Sequence, residues 1–510
     1  MTTEGVAPAP DRRPLLDFGP VPGGPAATAA ETHISVVFFA GRTALKVLKP
    51  VDLGFIDLTS RQGRRHQCER ELAMNRRFAP DVYLGVVDLT DAAGSPQEHG
   101  IVMRWLPADR RLSELLASPE GHEQLRTVAR TIAAFHGKAA RNPTAAASAS
   151  WENVAQLWQD NAARMAALPA GTFEAERLDE LEELWRAYMD GRRDLFDRRI
   201  ADGHAVDGHG DLLADDIFCM DDGPRVLDCL AFDDRLRCGD VLYDIGFLVM
   251  DVERLSGADL AARLLADYVE FSGERHPASL ADFYVGYRAQ VRALVSGIRG
   301  TQGDTEAAAL ASAFLEQACT RLRAAVPRLV LVGGTPGTGK STLAEGLSQR
   351  LGWSVLGTDE LRKDLVGVTH ASDQSAPPEQ GIYQASTTEA TYGELLARAA
   401  RLLAMGESVV LDGSWVDEGH RRRARQVAAD GTARLVELRC ELPATVALQR
   451  LRTRRNAGPG PSDATPEVLA HMRARMAEWP EAHVVDTTPP SDEVLDALMV
   501  HLATDGVTPR

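Results

Sequence analysis

A glycine-rich loop that ends in a lysine and a hydroxyl residue lies in the C-terminal third of the chain. It comprises Gly334, Thr335, Pro336, Gly337, Thr338, Gly339, Lys340 and Ser341, and Thr342 follows. Glycines let backbone N–H groups converge on phosphate oxygens, the lysine places a positive charge on the β- and γ-phosphates, and the serine can bind Mg²⁺. Because an apolar run precedes the loop and a helical pattern follows it, the sequence predicts a nucleotide-phosphate site.

Two aspartates end apolar runs beyond this loop. The run 408–411 leads into Asp412, and the run 354–358 leads into Asp359. Ligands of open α/β sheets bind at the carboxyl ends of the strands, where we expect both aspartates to lie. Asp412 is predicted to support Mg²⁺. Asp359 is predicted to accept a proton from a substrate hydroxyl, and a helix N-cap role is an alternative that can coexist with this one.

A basic run over 450–455 precedes a segment rich in glycine and proline. Phosphoryl transfer needs cations over the γ-phosphate, and a mobile lid often carries them. Arg450 and Arg454 are four positions apart and therefore share one face of a helix. We expect these two arginines to close over the phosphate, while a solvated basic helix end is the alternative.

Three aspartates nearer the middle of the chain have the spacing of a second phosphoryl-transfer site. Such a site needs a carboxylate that orients and deprotonates the attacking hydroxyl, a metal ligand five residues later, and a second metal carboxylate on a following strand. Asp211 and Asp216 have this separation, and the run 225–227 leads into Asp228. The pattern predicts Asp211 as the base and Asp216 and Asp228 as Mg²⁺ ligands. We expect the nearby His209 to be a structural hydrogen-bonding residue.

The elements that must position these residues differ between the two parts of the chain. Alternating and helical hydrophobic patterns in the first part predict a small sheet followed by a large helical region. These elements are a hairpin over 35–48, a helix over 61–78, strands over 84–89 and 100–105, and helices over most of 112–199 and 258–324. The pattern after residue 327 restarts as strand, glycine-rich loop and helix, which is typical of a parallel α/β sheet.

We therefore predict three segments. Residues 1–30 are rich in alanine, proline and glycine and are expected to be a disordered arm, not a secretory signal. Residues 31–325 are expected to form the first domain and residues 326–510 the second.

Composition narrows the classes of partner. The net charge of −17 disfavours nucleic acid and anionic membranes, although a local basic site could still occur. No apolar run approaches the ~18 residues that span a bilayer. The six cysteines contain no C-x-x-C pair, which argues against a zinc site and a disulfide framework, and a reducing cytoplasm is the simplest setting.

The C-terminal motifs resemble those of the zeta-toxin and polynucleotide-kinase-like group of small P-loop kinases. The matching stretches are the loop 334–341, the segments 358–363 and 412–415, and the arginine run. The resemblance covers residues 328–510. It implies a P-loop ATP-binding kinase domain that transfers a phosphoryl group from ATP to a hydroxyl of a small molecule.

The segment 209–216 and the Asp228 segment resemble the aminoglycoside-phosphotransferase and choline-kinase-like family, part of the protein-kinase-like superfamily, over about residues 31–320. The resemblance implies that Lys46 holds the α- and β-phosphates of ATP and that Glu71 pairs with this lysine. Lys49 and Glu69 are the rival positions. Gly239-Asp240 and the segment 243–246 resemble the stretch that follows the metal aspartate in this family.

Together these resemblances match bacterial fusions of the two kinase types. They imply a multidomain chain in which an N-terminal α+β protein-kinase-like fold precedes an α/β P-loop NTPase fold with a parallel sheet. The expected function is an ATP- and Mg²⁺-dependent phosphotransferase with two ATP sites and a small-molecule hydroxyl acceptor. One alternative is that the first half is a nucleotide-sensing regulatory module, because Asp216 stands where the family usually has asparagine and the Asp228 segment lacks D-F-G. Another is an aminoglycoside-resistance kinase, which would need an acidic cleft.

Overall fold

A computed structural model describes residues 16–18, 27–32, 34–52, 56–91, 94–369, 380–456 and 466–503. The chain divides into two compact units, and each unit is built from more than one stretch of sequence. The first unit holds Met1–Glu174, Arg199–Arg275 and Tyr287–Leu315. The second unit holds Ala175–Arg198, His276–Gly286 and Glu316–Arg510.

The first unit contains a six-stranded antiparallel sheet. Its strands are β1 (Leu16–Phe18), β2 (Ala27–Glu31), β3 (Ser35–Ala40), β4 (Thr43–Leu48), β5 (Tyr83–Thr90) and β6 (Pro96–Arg104). Their order in the sheet is β1-β2-β3-β4-β6-β5. The β3–β4 hairpin predicted from the sequence turns at Gly41, whose φ of 59° suits a residue without a Cβ.

The structure differs from the disordered arm predicted over residues 1–30. Strand β2 pairs antiparallel with β3, and β1 pairs with β2. Without β2, the backbone groups along one edge of β3 would have no strand partner. Residues 27–30 of the predicted arm therefore belong to the sheet. The other residues of the predicted arm lie outside the described residues.

Helix α1 (Arg61–Asn75) packs on this sheet. The Ser60 hydroxyl accepts a hydrogen bond from the backbone N–H of Gly63 at 3.0 Å and so caps the helix start. The buried face of the helix includes Cys68, Glu71 and Asn75. Cys68 joins an apolar cluster with residues of β4, β5 and β6, and this packing turns the Glu71 side of α1 towards the sheet.

Helices make up most of the chain between the two sheets. Those of at least four residues are α2 (Leu112–Leu115), α3 (Pro119–Lys138), α4 (Pro143–Ser148), α5 (Trp151–Ala166), α6 (Ala175–Met189), α7 (Arg193–Ala201), α8 (Asp234–Arg237), α9 (Val241–Ser256), α10 (Ala258–Ser272), α11 (Ala278–Thr301) and α12 (Thr305–Ala325). The two-stranded pairs β7 (Ala205–Asp207) with β10 (Cys238–Asp240) and β8 (Ile217–Met220) with β9 (Gly223–Val226) lie among them. The segment 209–216 therefore connects two short strands, and Asp228 closely follows β9.

The second unit is built on a five-stranded parallel sheet. Its strands are β11 (Arg328–Gly333), β12 (Ser354–Gly357), β13 (Val409–Asp412), β14 (Arg434–Glu441) and β15 (His483–Asp486), in the order β12-β13-β11-β14-β15. Its helices after β11 are α13 (Lys340–Leu351), α14 (Thr358–Leu365), α15 (Ala385–Ala404), α16 (Glu418–Asp430), α17 (Ala444–Asn456), α18 (Pro466–Arg475) and α19 (Ser491–Ala503).

Strand β11 is buried on both faces, as its unbroken apolar sequence predicts. Leu329 and Leu331 pack into one apolar cluster with residues of α15 and α16. Val330 and Val332 point the other way and pack with residues of α13 and α19. This alternation places helices on both faces of a parallel sheet, which confirms the α/β arrangement predicted for the C-terminal part.

Helical segments from earlier in the chain complete the second unit. The rings of Tyr188 and Phe283 stack with centroids 4.3 Å apart, and the Ser279 hydroxyl donates to the Gly406 carbonyl at 2.6 Å. Buried Arg192 donates to the Tyr188 carbonyl at 2.5 Å and to the Gly431 carbonyl at 3.1 Å. The domain boundaries 31–325 and 326–510 stay a prediction, since residues 175–198 and 276–286 belong to the same compact unit as 316–510.

Among the helices of the described residues, none combines the length and the apolar character needed to cross a membrane.

Candidate active sites

Lys46 lies at the centre of the first candidate site. Its Nζ donates to Glu71 Oε1 at 2.7 Å and to Asp228 Oδ1 at 3.2 Å. Burial disfavours the charged lysine, but attraction from Asp228 and Glu71 outweighs it, so the pKa of Lys46 lies well above its usual value. The lysine comes from β4 and the glutamate from α1, and the packing of that helix on the sheet brings the pair together.

The rival positions have other partners. Lys49 pairs with Glu31 at 2.6 Å and donates to the Thr32 carbonyl at 2.5 Å. Glu69 pairs with Arg65 at 3.0 Å on the exposed side of α1. The structure therefore places Lys46 and Glu71, and neither rival, at the site that also holds Asp228.

Asp228 has a strained backbone. Its φ of 61° lies in the left-handed region, which costs a non-glycine residue about 1–2 kcal/mol. The Tyr83 hydroxyl accepts from the Asp228 N–H at 3.2 Å, and the Asn75 side chain accepts from the next N–H, that of Cys229, at 2.8 Å. Attraction to Lys46 lowers the pKa of Asp228. These bonds hold the carboxylate ionised in a conformation it would not adopt alone, a feature common at functional sites.

A buried aspartate on α9 shapes the loop that carries Asp211. The Asp244 carboxylate accepts hydrogen bonds from the backbone N–H groups of His209 at 2.7 Å and Gly210 at 2.8 Å. His136 Nε2 lies 3.0 Å from Asp244 Oδ2. Gly210 has φ 88°, and a Cβ there would stand 2.9 Å from the Cα of Arg237. The His209 ring is bonded to the Leu227 carbonyl at 2.9 Å, which agrees with the structural role expected for it.

Burial raises the pKa of both Asp211 and Asp216. Burial raises the pKa of Asp211 to about 6, although the charges of Arg292 and Arg288 oppose the shift. Burial, followed by repulsion from Asp228 and Asp211, raises the pKa of Asp216 well above its usual value. A divalent cation relieves repulsion of this kind.

The neighbouring Asp215 adds a smaller repulsion to Asp216 and has side-chain partners of its own. Arg111 donates to its carboxylate at 2.5 Å and the Ser113 hydroxyl donates at 3.0 Å. In the described residues no group of three or more His, Cys, Asp or Glu side chains is arranged to hold a metal. Mg²⁺ in kinases usually takes one or two carboxylates together with phosphate oxygens and water, so the pair Asp216 and Asp228 fits that ion.

The glycine-rich loop of the second unit borders a cavity of about 490 Å³. Gly334, Gly337 and Gly339 have φ values of 135°, 81° and 86°. A Cβ at Gly334 would lie 2.6 Å from the Cys440 carbonyl oxygen, so the loop can pass there only with glycine. Lys340 Nζ donates to the Thr335 carbonyl at 3.2 Å and therefore lies folded over the loop.

Ser341 and Asp412 meet at the carboxyl end of the sheet. The Ser341 hydroxyl donates to Asp412 Oδ2 at 2.5 Å. Strand β13 runs parallel to β11 with Asp412 opposite Val332, which brings the aspartate to the level of the loop. Burial raises the pKa of Asp412, while the charge of Lys340 opposes the shift. A hydroxyl beside a carboxylate at this position matches the usual Mg²⁺ set of P-loop enzymes.

Asp359 lies in the first turn of α14 and lines the same cavity. Arg362, one turn later, donates to Asp359 Oδ1 at 3.0 Å, and its guanidinium carbon lies 4.8 Å from the centre of the Tyr383 ring. The side chain of Asp359 forms no N-cap bond in the described structure, since Gly357 occupies the cap position without a side-chain hydrogen bond.

Arg450 also lines this cavity, where it donates to the Thr487 carbonyl at 2.9 Å. The side chain of Arg454 lies outside the described residues. The structure thus gathers Lys340, Ser341, Asp359 and Asp412 with Arg450 around one cavity.

Comparisons with known proteins find a family match in each part of the chain. Residues 55–283 match the phosphotransferase enzyme family, and residues 329–479 match an AAA domain. The chain is 40% identical over 485 residues to the uncharacterized proteins Rv2004c and MT2060 of Mycobacterium tuberculosis and Mb2027c of Mycobacterium bovis. Each alignment covers 95% of this chain and 97% of the relative. The chain belongs to the family of these mycobacterial proteins.

Similar solved structures include a choline/ethanolamine kinase family protein from Mesorhizobium loti, 17% identical, covering 61% of this chain and 88% of that chain with a TM-score of 0.35. A putative kinase from Chloroflexus aurantiacus is 22% identical and covers 35% of this chain and 98% of that chain with a TM-score of 0.29.

The family matches confirm the predicted fusion of a kinase-like phosphotransferase fold with a P-loop fold. This member of the family is an ATP-dependent phosphotransferase. Families of this type use ATP, typically with Mg²⁺.

Several site residues of this family member were not predicted from the sequence. Asp244 was predicted only as part of the segment 243–246 that resembles the phosphotransferase family. Its hydrogen bonds to the backbone of the 209–216 loop were not predicted. Asp251, which accepts the Ala214 N–H at 3.0 Å, and His136 were missed altogether. So were Arg288 and Arg292. Asp244 could have been found from its sequence context, because it is an ionisable residue within an apolar helical run. Such a residue is usually buried and needs hydrogen-bond partners.

Proposed function

We propose that this chain has two ATP sites, and that each transfers the γ-phosphoryl group of ATP to a hydroxyl of a small molecule. One observation carries the proposal. Each unit contains a lysine suited to hold phosphates, a carboxylate suited to hold Mg²⁺ and an aspartate suited to act as base. These sets are Lys46, Asp228 and Asp211 in the first unit and Lys340, Asp412 and Asp359 in the second.

In the first site, Glu71 fixes the Lys46 ammonium, which binds the α- and β-phosphate oxygens. Asp216 and Asp228 would hold Mg²⁺, which neutralises charge on the phosphate oxygens when bound. Asp211 hydrogen-bonds the acceptor hydroxyl and takes its proton as the oxygen attacks the γ-phosphorus and the bond to ADP breaks. Asp244 keeps Asp211 in place through the two backbone N–H groups that it accepts.

In the second site, the loop N–H groups and Lys340 cradle the phosphates of ATP. Ser341 and Asp412 would hold Mg²⁺. Asp359 accepts the proton of the acceptor hydroxyl, and Arg362 orients that carboxylate through their 3.0 Å ion pair. Arg450, which lines the cavity, adds positive charge as negative charge moves onto ADP, and the sequence assigns the same role to Arg454.

The test is ADP formation from ATP and Mg²⁺ by the full chain with sugars, amino sugars, nucleosides and aminoglycosides as acceptors. Wild type is compared with Asp211→Ala, Lys340→Ala and the double variant. We expect each single change to abolish a different acceptor-dependent activity, by at least about 100-fold. Exposed Asp221→Ala and Arg422→Ala are the matched controls and keep both activities.

Three results would count against the proposal. If only Lys340→Ala reduces turnover, the first unit is a nucleotide-sensing module and not a second kinase. If only Asp211→Ala does so, the P-loop site has no phosphotransferase role. If neither variant differs from wild type, both assignments are wrong.

We also propose that the protein works in a reducing cytoplasm. All six cysteines are free and buried. Thiol titration of unfolded protein prepared without reductant should find six free thiols, and a disulfide would contradict this setting.

A further inference from the structure

Two arginines on α11 lie beside the loop that carries Asp211. Arg288 and Arg292 are one helical turn apart and therefore share a face. Arg288 is 3% exposed and donates from Nε to the Tyr243 carbonyl at 2.8 Å. Its guanidinium lies 3.5 Å from the centre of the Tyr243 ring. Within the described part of the chain, its Nη2 has no hydrogen-bond partner.

Arg292 is half-buried, and its guanidinium lies 5.8 Å from the centre of the Phe314 ring. Arg254 lies 5.8 Å from the same ring and donates to Asp251 at 2.8 Å. Asp251 in turn accepts the Ala214 N–H of the loop at 3.0 Å. Arg254 and Asp251 thus connect the Phe314 ring to the loop at Ala214, and Arg292 lies near the same ring.

Arg288 reaches the same loop by a second route. Its contact Tyr243 adjoins Asp244, which accepts the N–H of Gly210 immediately before Asp211. Arg288 is therefore connected through Tyr243 and Asp244 to the residue before the proposed base, and Arg292 is one helical turn further along the same face of α11. Their charges also oppose the rise in the pKa of Asp211, which agrees with this placement.

Neither arginine has a carboxylate partner among the described residues. The carboxylates closest along these contacts are already engaged, Asp244 by two backbone N–H groups and His136, and Asp251 by Arg254 and Ala214. A buried guanidinium without a counter-ion destabilises the folded protein. The aromatic contacts of Arg288 offset only part of this destabilisation.

We propose that Arg288 and Arg292 bind an anionic group of the acceptor, a carboxylate or a phosphate, while Asp211 takes the proton of its hydroxyl. The inference rests on the proposed function of the first site and names the class of its acceptor. Paired guanidinium groups match the oxygens of carboxylate and phosphate. The same two charges would repel a polycationic aminoglycoside, so they disfavour the aminoglycoside-resistance alternative.

The test uses the full chain carrying Lys340→Ala, so that the P-loop site is silent. Binding is measured by calorimetry in the presence of Mg²⁺ and a non-hydrolysable ATP analogue. The probes are glycerate and gluconate as hydroxy acids, glycerol 3-phosphate and glucose 6-phosphate as phosphate esters, and glycerol, glucose and kanamycin as uncharged or cationic compounds. We expect at least one anionic probe to bind, and the two anionic sets show which group the subsite takes.

Arg292→Gln should weaken binding of that probe at least tenfold, and Arg292→Lys should restore part of it. Arg292 is chosen because it is half-buried and its loss leaves the packing of Arg288 intact. Exposed Arg263→Gln on α10 is the matched control and leaves binding unchanged. Turnover of the probe is then compared with and without Asp211→Ala.

The proposal is overturned if no anionic probe binds, whether or not the others do. It is also overturned if an anionic probe binds equally to wild-type Arg292 and to Arg292→Gln. Asp211-dependent turnover of glycerol, glucose or kanamycin without binding of any anion would overturn this inference and leave the proposed phosphotransferase intact. Binding of an anion without Asp211-dependent turnover would count against the phosphotransferase and not against the subsite.

Discussion

Lys46 and Glu71 are joined by a 2.7 Å hydrogen bond although 25 positions separate them in the chain. The bond fixes the ammonium at the edge of the site, where Asp228 is its second partner at 3.2 Å. The lysine thus stands between a carboxylate that positions it and a carboxylate suited to a metal. Losing the first partner should shift Lys46 towards the second.

Glu71→Gln should therefore raise the KM for ATP of the Asp211-dependent reaction. A hydrogen bond to a charged group contributes about 1.5–3 kcal/mol, so the rise should be roughly 10- to 100-fold. The measurement is initial rate against ATP concentration in the Lys340→Ala background. Glu69→Gln, on the exposed side of the same helix, is the control and should not change KM. Equal KM values for the two variants would rule out the positioning role.

The rate at the first site should fall as the pH drops through about 6. Asp211 can accept a proton only when ionised, and burial raises its pKa to about 6. Below that value kcat/KM should fall about tenfold per pH unit. Arg292→Gln removes a positive charge that favours the ionised form of Asp211, so the fall in kcat/KM should begin at a higher pH. The control Arg263→Gln should leave the pH of this fall unchanged. A fall in rate that begins only near pH 4 would contradict the raised pKa, because an aspartate with its ordinary pKa behaves in this way.

Ser341→Ala should weaken the binding of Mg²⁺ at the second site. Its hydroxyl lies 2.5 Å from Asp412, and both groups are suited to the same ion. We expect the Mg²⁺ concentration for half-maximal rate to rise about 10- to 100-fold, the usual cost of losing such a contact. The rate is measured in the Asp211→Ala background. Ser348→Ala, on the same helix α13, is the control, and an identical Mg²⁺ response in both would contradict the assignment.

Arg192→Met should destabilise the second unit. Arg192 is fully buried and donates to the carbonyls of Tyr188 and Gly431, which would be left without that donor. We expect a loss of about 1–3 kcal/mol in the free energy of unfolding, measured by urea denaturation with ADP release at the P-loop site as the local readout. Arg401→Ala removes an exposed ion pair and should cost less than about 1 kcal/mol. Similar losses for both would show that Arg192 is dispensable.

Local patterns were enough for the parts of each site that are contiguous in sequence. The loop 334–341 and the spacing of Asp211 and Asp216 each lie within a few residues, so the sequence alone was enough to locate both motifs. Residue type alone could not choose Lys46 and Glu71 over their rivals Lys49 and Glu69, and the choice depended on a family resemblance. The structure brings Lys46 and Glu71 together, while their roles stay a prediction. Whether the proposed roles are right is decided by the experiments above.

Contacts made by distant segments could not be predicted from local patterns. Arg288 and Arg292 lie more than seventy positions beyond Asp211, and their apolar helix gives no sign of which loop they approach. The stacking of Tyr188 on Phe283 within the unit of the parallel sheet is equally invisible, since any large apolar residue can serve any core. The strand over 27–31 was missed because alanine and threonine alone seldom indicate a strand, and its partner β3 determines it.

The discontinuous make-up of the second unit also has a consequence for its synthesis. The ribosome releases residues 175–198 and 276–286 well before strand β11 exists, and at about 5–20 residues per second the wait from residue 198 to residue 328 is on the order of ten seconds. Tyr188 and Phe196 first wait for Phe283, on which both rings pack, and all three then wait for the rest of their unit. Nascent chains that stall before residue 328 would therefore expose aromatic surface that chaperones bind, and slow codons in this stretch would be a burden on the cell.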